Sequence, residues 1–315
     1  MRNKKEITVI LAIIIPYYKI GHFDELLDAL KNQTNPNFNV YVGNDCSPED
    51  PQKIIEKYTD KLNIFYKKFD QNLGRLSLAK QWGRCVEMIE DEEWVWVLPD
   101  DDLPSNNCVE EFYKALEYAQ KIGVKVFRFP LKIIDGESRI ISEEIHEEPE
   151  VEDNYDFYLR QVKGETSSSL GDNIFHRESL QNSGGFVEFP KAWGSDHATV
   201  LNVSKGGKLC CLKNASLSFR MSGENISSHT TDSVEKMKSR VMFAKWLKNN
   251  ENIFAKQPDK EFYQYFYWKG EYYVLHEWPF SLRLLYQLYK LQKVCLEKTR
   301  LLSIFSITSK KYLSF

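Results

Sequence analysis

A mainly parallel β-sheet flanked by helices is the fold class this sequence predicts, and three observations predict it. Strand-like and helix-like runs alternate through the first 130 residues, the rhythm of βαβ units. The first run, ITVILAIII (7–15), is apolar or β-branched throughout, which marks a strand buried on both faces. Between strands, apolar residues recur at helical spacing, as in Leu78, Ala79, Trp82, Val86 and Ile89.

The elements follow in order. DELLDALKNQ (24–33) puts Leu26, Leu27 and Leu30 on one helical face, and NVYVGND (39–45) is a short strand running into a turn. PQKIIEKY (51–58) opens with proline at a first helical position. LNIFYKKF (62–69) is a strand, RLSLAKQWGRCVEMIE (75–90) a helix and EWVWVLP (93–99) a strand. A helix over 106–123 closes on glycine, and VKVFRFP (124–130) is again a strand. Residues 143–153 hold seven acids and read as an exposed loop. GDNIFHRESLQNSGGF (171–186) reads as strand, short helix and glycine turn, and SDHATVLNVSKGG (195–207) as a helix, with KLCCL and SLSFR as short strands after it. From about residue 230 only helical, aromatic-rich stretches follow, so 1–225 is expected to be the sheet-containing domain and 226–315 a helical extension. FYQYFYW (262–268) is expected to be helix core.

Composition excludes some functions. A formal net charge of −3 offers no basic field for nucleic acid. Six cysteines without C-x-x-C spacing suit reduced, buried thiols in a cytosolic protein. Lys4 and Lys5 ahead of ITVILAIII imitate a secretion signal, but no small-residue cleavage site follows, and nine residues fall short of the roughly 20 needed to span a bilayer. The last 35 residues contain seven Lys or Arg and one acid, a pattern that fits either peripheral contact with an anionic membrane or a helix packed on one face.

Ligands of open parallel sheets bind beyond the carboxyl ends of the strands, where strand order switches. The polar residues that stand out fall there: Pro16 and Tyr17 after the first strand, Asp45 after the second, Asn72 and Gly74 after the third, and Asp100, Asp101 and Asp102 after the fourth. Each alone is ordinary turn chemistry; together they describe one site. Three adjacent carboxylates repel one another, and a hard dication such as Mn²⁺ or Mg²⁺ would offset that repulsion and take oxygen ligands. A carboxylate-held dication beside a nucleotide pocket points to chemistry on a diphosphate.

These residues resemble family 2 glycosyltransferases, whose nucleotide-sugar-binding fold is called GT-A. The resemblance spans roughly 7–225 and is carried by IIIPYY, VGNDCSPED, DQNLGRLSLAKQWG, VLPDDDLPSNN and GGFVEFPKAWGSDHATV. It implies that Pro16, Tyr17 and Asp45 hold the base and ribose of a nucleotide-sugar donor, and that Asn72 and Gly74 line the pocket. It implies that the Asp triplet is the D-x-D element, with Asp102 on the metal, Asp101 in the alternative register, and Asp100 near the ribose. Asp196 in WGSDHA matches the general base of inverting members, although Ser195 stands where a Glu is more usual; without the resemblance Asp196 reads as a helix-capping acid. His197 beside it reads as packing. FRMSGENISSH resembles a segment closing over the diphosphate, which offers Arg220 to the phosphates and His229 to the metal, against an ordinary solvated loop.

The resemblance thus implies a metal-dependent, inverting transfer of a hexose or N-acetylhexosamine, from a UDP-sugar in the first instance, to a hydroxyl of a glycan or lipid-linked oligosaccharide in polysaccharide biosynthesis. Such an enzyme is expected in the cytoplasm, with the basic C-terminal segment available for the inner face of the membrane. The alternatives are a non-catalytic nucleotide- or carbohydrate-binding module on the same fold, and a nucleotidyltransferase. The second is disfavoured because IIIPYYKIGHF lacks a Gly-rich phosphate loop.

Overall fold

A computed structural model describes residues 10–143, 148–223, 230–279 and 281–296. In chain order the elements begin β1 (Leu11–Tyr17), α1 (Phe23–Lys31), β2 (Asn39–Asn44), α2 (Gln52–Ile55), β3 (Ile64–Lys68), α3 (Leu78–Val86), β4 (Trp94–Val97), β5 (Leu103–Pro104) and α4 (Cys108–Lys121). They continue β6 (Val124–Arg128), β7 (Leu131–Ile134), β8 (Ile140–Glu143), β9 (Val151–Glu152), α5 (Asn154–Lys163), β10 (Asn173–His176), α6 (Arg177–Asn182) and α7 (Ser195–Val203). The last are β11 (Lys208–Cys211), β12 (Leu217–Arg220), α8 (Ser233–Asn249), α9 (Lys260–Tyr272) and α10 (Leu282–Leu296).

Eight strands form the central sheet, in the order β3-β2-β1-β4-β10-β6-β11-β9. The continuous apolar run of β1 is explained by burial on both faces. Leu11, Ile13, Ile15 and Tyr17 enter one core with Leu26, Leu27 and Leu30 of α1 and Phe112 of α4, while Ala12 and Ile14 enter the other with Ala79, Trp82 and Val86 of α3. Each fully buried side chain of this size contributes about 1.5–3 kcal/mol. β1, β2, β3 and β4 run parallel. The chain steps from β1 to β2 and β3, then returns to place β4 on the other side of β1. That reversal opens a crevice at the carboxyl ends of β1 and β4.

Beyond β4 the sheet is mixed. β10 lies antiparallel between β4 and β6, and β9 is an antiparallel edge on β11. A second sheet, β5-β12-β7-β8, underlies the loop after β4; β12 is the expected SLSFR strand, whereas β5, β7 and β8 carry no strong periodicity and were not anticipated. Part of the acidic segment over 143–153 is also not an exposed loop. Glu148 and Glu152 are buried because they pair with Arg128 on β6 and Arg160 on α5; Glu148 meets Arg128 at 2.7 Å, and Glu152 meets Arg160 at 2.7 Å.

Helices α8, α9 and α10 share an aromatic core with α5 and α7, in which Tyr158, Phe243, Phe262 and Phe266 contact one another. The 262–268 stretch thus buries Phe262, Tyr263, Phe266 and Tyr267. α10 buries Leu284, Leu288 and Leu291 and exposes Leu282 and Tyr286; the rest of the basic C-terminal segment lies outside the described residues. Among the described residues no helix is long and apolar enough to cross a membrane.

Candidate active site

Asp45 continues β2 into the crevice, its N–H donating to Tyr17 O at 2.9 Å. Its carboxylate accepts from the N–H groups of Leu73 (2.7 Å) and Gly74 (2.8 Å) and pairs with Arg84 of α3. Gly74 is required by that closeness, since a Cβ there would lie 2.6 Å from Asp45 Oδ2. Asn72 shapes the same turn by accepting from Arg75 N–H at 2.8 Å. Arg84, which the motif reading passed over, also stacks on Phe69, 3.9 Å from the ring centre. Pro16 is half-buried opposite Gly43, and the Tyr17 hydroxyl donates to Glu49 O at 3.0 Å. Burial raises the Tyr17 pKa, which keeps that hydroxyl a donor.

The three carboxylates after β4 have three different environments. Asp100 Oδ2 accepts from Tyr18 N–H and Lys19 N–H, both at 2.8 Å, and so ties the β4 loop to the end of β1. Burial nevertheless pushes its pKa up to about 6. Asp102 is 1% exposed; Oδ1 accepts from Arg220 N–H at 3.0 Å, and Oδ2, also buried, meets no hydrogen-bond donor among the described residues. Burial first, and then the charge of Asp101, hold Asp102 well above the usual carboxylate range. Asp101 is half-buried, and burial raises its pKa against the nearby charges of Lys19, Arg220 and His22.

An orphaned buried carboxylate oxygen next to a second carboxylate is a donor set that would suit a hard dication. Mg²⁺ is usually held by one or two carboxylates, with substrate phosphates and water completing its shell. Among the described residues no group of three or more His, Cys, Asp or Glu forms a full cage. The residues therefore fit a dication shared with a ligand, held by Asp101 and Asp102. His229, the third ligand expected from sequence, lies outside the described residues.

A further acid, Asp172, sits at the start of β10 and was missed because a Gly-Asp pair reads as a turn. It is fully buried, accepts from Ser169 N–H (2.5 Å) and Ser168 Oγ (3.1 Å), and lies 4.0 Å from Arg128. Burial pushes its pKa up to about 7. Gly171 is packed so closely that a Cβ would stand 2.8 Å from Asp102 Oδ2 and 2.9 Å from both Leu217 and Pro99.

Asp196 lies in the first turn of α7, two residues after the left-handed cap Gly194 (φ 85°). Ser195 is buried, its hydroxyl accepting from Phe189 N–H at 3.0 Å, so this position supports the turn. The Asp196 side chain remains 22% exposed and accepts from His197 N–H at 2.8 Å. His197 Nε2 is 3.2 Å from Ser168 O, a carbonyl that can only accept, so Nε2 carries the proton. Both residues line a cleft of about 360 Å³ between the Ser167–Leu170 loop, α5, α8 and α9.

Arg220 is not aimed at that cleft. Its guanidinium is buried and donates from Nε to Asp101 O (2.8 Å), from Nη1 to Asp135 O (3.1 Å) and Ser138 Oγ (2.9 Å), and from Nη2 to Glu25 Oε2 (2.8 Å). It therefore lies beneath the Asp triplet and fixes its backbone.

The family model of glycosyl transferase family 2 matches residues 12–177, more than half of the chain. This chain belongs to that family. The matched stretch contains the Asp45 clamp, the Asp triplet and Asp172, and it ends before Asp196. In sequence the chain is similar to the poly(ribitol-phosphate) β-N-acetylglucosaminyltransferase TarS of Staphylococcus aureus, 29% identical over 93 residues. That alignment covers 27% of this chain and only 16% of the relative. In structure it is similar to S. aureus TarS 1–349 in complex with UDP-GlcNAc, with a TM-score of 0.69 and 18% identity over 90% of this chain and 81% of that one. It is also similar to the mannosyltransferase PcManGT of Pyrobaculum calidifontis in complex with GDP-Man and Mn²⁺, with a TM-score of 0.56 and 14% identity over 97% and 80% of the two chains. These structural likenesses establish the GT-A fold.

Proposed function

We propose that this chain is a metal-dependent, inverting glycosyltransferase that moves a sugar from a UDP-sugar to a hydroxyl of a glycan or lipid-linked glycan. The observations that carry the reading are a clamped Asp45 after β2, a paired-carboxylate element with an orphaned oxygen after β4, and a partly exposed Asp196 in the first turn of α7. Family membership supports sugar transfer, and the TarS structure containing UDP-GlcNAc supports UDP and N-acetylglucosamine ahead of GDP and mannose, because that likeness is the stronger one.

In this reading Pro16, Tyr17 and Asp45 shape the pocket for base and ribose, the Asn72–Gly74 turn closes it, and Asp100 braces the β1 and β4 loops. Asp101 and Asp102 would hold the Mn²⁺ or Mg²⁺, which when bound supplies Lewis-acid stabilisation to the departing diphosphate. A sugar hydroxyl is a weak nucleophile, so it needs a base within hydrogen-bond reach as it attacks the anomeric carbon. Asp196, half-open to the cleft, takes that proton. His197 orients it, and the cleft wall holds the acceptor for one in-line displacement, which inverts the anomeric centre. Arg220 acts as a positioning residue under Asp101. Residues 1–225 carry the donor chemistry, while the helices after 226 wall the acceptor side; the basic segment beyond 281 would meet the membrane when the acceptor is lipid-linked.

The test is calorimetric titration with UDP, UDP-GlcNAc and GDP-mannose, with Mn²⁺ and with chelator, for wild type and Asp101→Ala. Manganese-dependent UDP binding that weakens at least tenfold in the variant is expected. Absence of binding to any nucleotide would sink the proposal, and binding without any turnover of the donor would identify a non-catalytic module instead.

A further inference from the structure

Arg240 of α8 is 7% exposed and lines the cleft that contains Asp196. One of its donors is satisfied, Nη2 to Phe266 O at 2.6 Å, and its plane lies 4.2 Å from the centre of the Phe266 ring. Nε is buried and meets no acceptor among the described residues, and no carboxylate there pairs with the guanidinium. The α9 backbone crowds the same atom, since a Cβ on Gly270 would stand 2.8 Å from Nε. A guanidinium does not shed its proton in a protein, so its charge stays even when buried. Elsewhere in the molecule buried arginines are compensated: Arg128 has Glu148, and Arg220 has Glu25.

Lys191 and Lys269 also line this cleft, and Asp196 is the one carboxylate among the described residues that line it. Lys191 already has Asp232 at 3.4 Å, and Lys269 donates to Gln161 O at 2.8 Å. None of Asp45, Asp100, Asp101 or Asp102 lines it, so the cleft is the acceptor side of the proposed base rather than the nucleotide side. A guanidinium that lines a cleft with no carboxylate partner among the described residues is matched by a ligand oxyanion on the N–H groups that Phe266 O does not take.

We propose that the acceptor is acidic: the molecule bearing the reacting hydroxyl also bears an oxyanion, a phosphate or a carboxylate, which docks on Arg240 while the hydroxyl faces Asp196. This rests on the acceptor-side reading given above. A neutral acceptor would leave the buried charge uncompensated in the complex as well as in the free protein.

The test uses the full chain saturated with UDP and Mn²⁺, and measures binding of sn-glycerol 3-phosphate against glycerol and of glucuronate against glucose, by ligand-observed NMR. At least one acidic probe is expected to bind with at least tenfold preference over its neutral partner, and which arm responds tells phosphate from carboxylate. Arg240→Met is expected to erase that preference while leaving UDP affinity within about twofold, and Arg240→Lys to keep part of it, because charge persists without the fork. Should Arg240→Met fail to fold, Arg240→Lys and displacement of the bound probe by inorganic phosphate carry the same decision. Equal binding of acidic and neutral probes, no binding by either, or a preference unchanged in the variants would overturn the proposal. So would a parallel loss of UDP affinity, which would assign Arg240 to the donor diphosphate. Wild-type protein that fails to bind UDP with Mn²⁺ would instead defeat the donor reading, and the probe preference would still be measured without nucleotide.

Discussion

Replacing Arg220 by methionine separates two roles that the same residue has been given. The segment around it resembles one that closes over a diphosphate, which predicts a loss of nucleotide binding with little change in the free protein. The geometry predicts the reverse order of effects. Methionine retains most of the apolar packing but leaves the part-buried carbonyls of Asp101 and Asp135 without the donors now at 2.8 and 3.1 Å. A hydrogen bond to a charged group contributes about 1.5–3 kcal/mol, and less where water can replace the donor. The partner Glu25 has a side chain 40% exposed and regains water, so its share is small. The expected loss is about 2–4 kcal/mol in the ligand-free protein, read as a shift in urea midpoint at constant slope. Manganese-dependent UDP affinity should fall as a consequence, and Arg220→Lys should recover part of the stability. Ligand-free stability within about 0.5 kcal/mol of wild type, together with lost UDP binding, would refute this reasoning and return Arg220 to the phosphates.

Other consequences can be checked alongside. Gly171→Ala forces a methyl to 2.8 Å from Asp102 Oδ2 and 2.9 Å from Leu217 and Pro99; overpacking of this kind costs about 1–3 kcal/mol and should weaken manganese-dependent UDP binding, whereas wild-type affinity would show that Asp102 does not need this placement. Burial lifts Asp172 to about 7, so the folded chain keeps a proton that an unfolded aspartate releases near its ordinary value of about 4. Stability should therefore fall as pH rises from about 4 to about 7 and level off above that. Because Asp100 and Asp102 act in the same direction, Asp172→Asn should flatten this slope rather than abolish it; an unchanged slope in urea midpoints would contradict the assignment.

What the sequence disclosed about the fold depended on local signal. The first four strands and their helices were legible because β1 is apolar throughout and α1 and α3 keep a clean buried stripe. α5 escaped notice although it carries its own marks, Asp153 capping Asp156 N–H and Gly164 in the left-handed region (φ 80°). The small sheet was illegible in principle: β5 is two residues long, and its partner β12 arrives more than a hundred residues later. Within the site, Asp45, the Asp triplet and Asp196 stood out as chemistry at strand ends or in a motif. Burial separated the triplet members, and it is a property of the whole fold rather than of DDD. The acids over 148–153 looked solvated because the arginines that neutralise two of them lie on β6 and α5. Arg240 gave no sequence signal at all, since an arginine within a helix is ordinarily a surface residue.

Removal of the acceptor proton rests on Asp196. UDP-GlcNAc turnover with Mn²⁺ should be measurable for the wild type, with transfer where an acidic glycan is supplied, and Asp196→Asn should lower it by about 10²–10⁴-fold while leaving UDP affinity within about twofold. Turnover by Asp196→Asn at the wild-type rate, with donor binding intact, would contradict the claim that this carboxylate removes the acceptor proton.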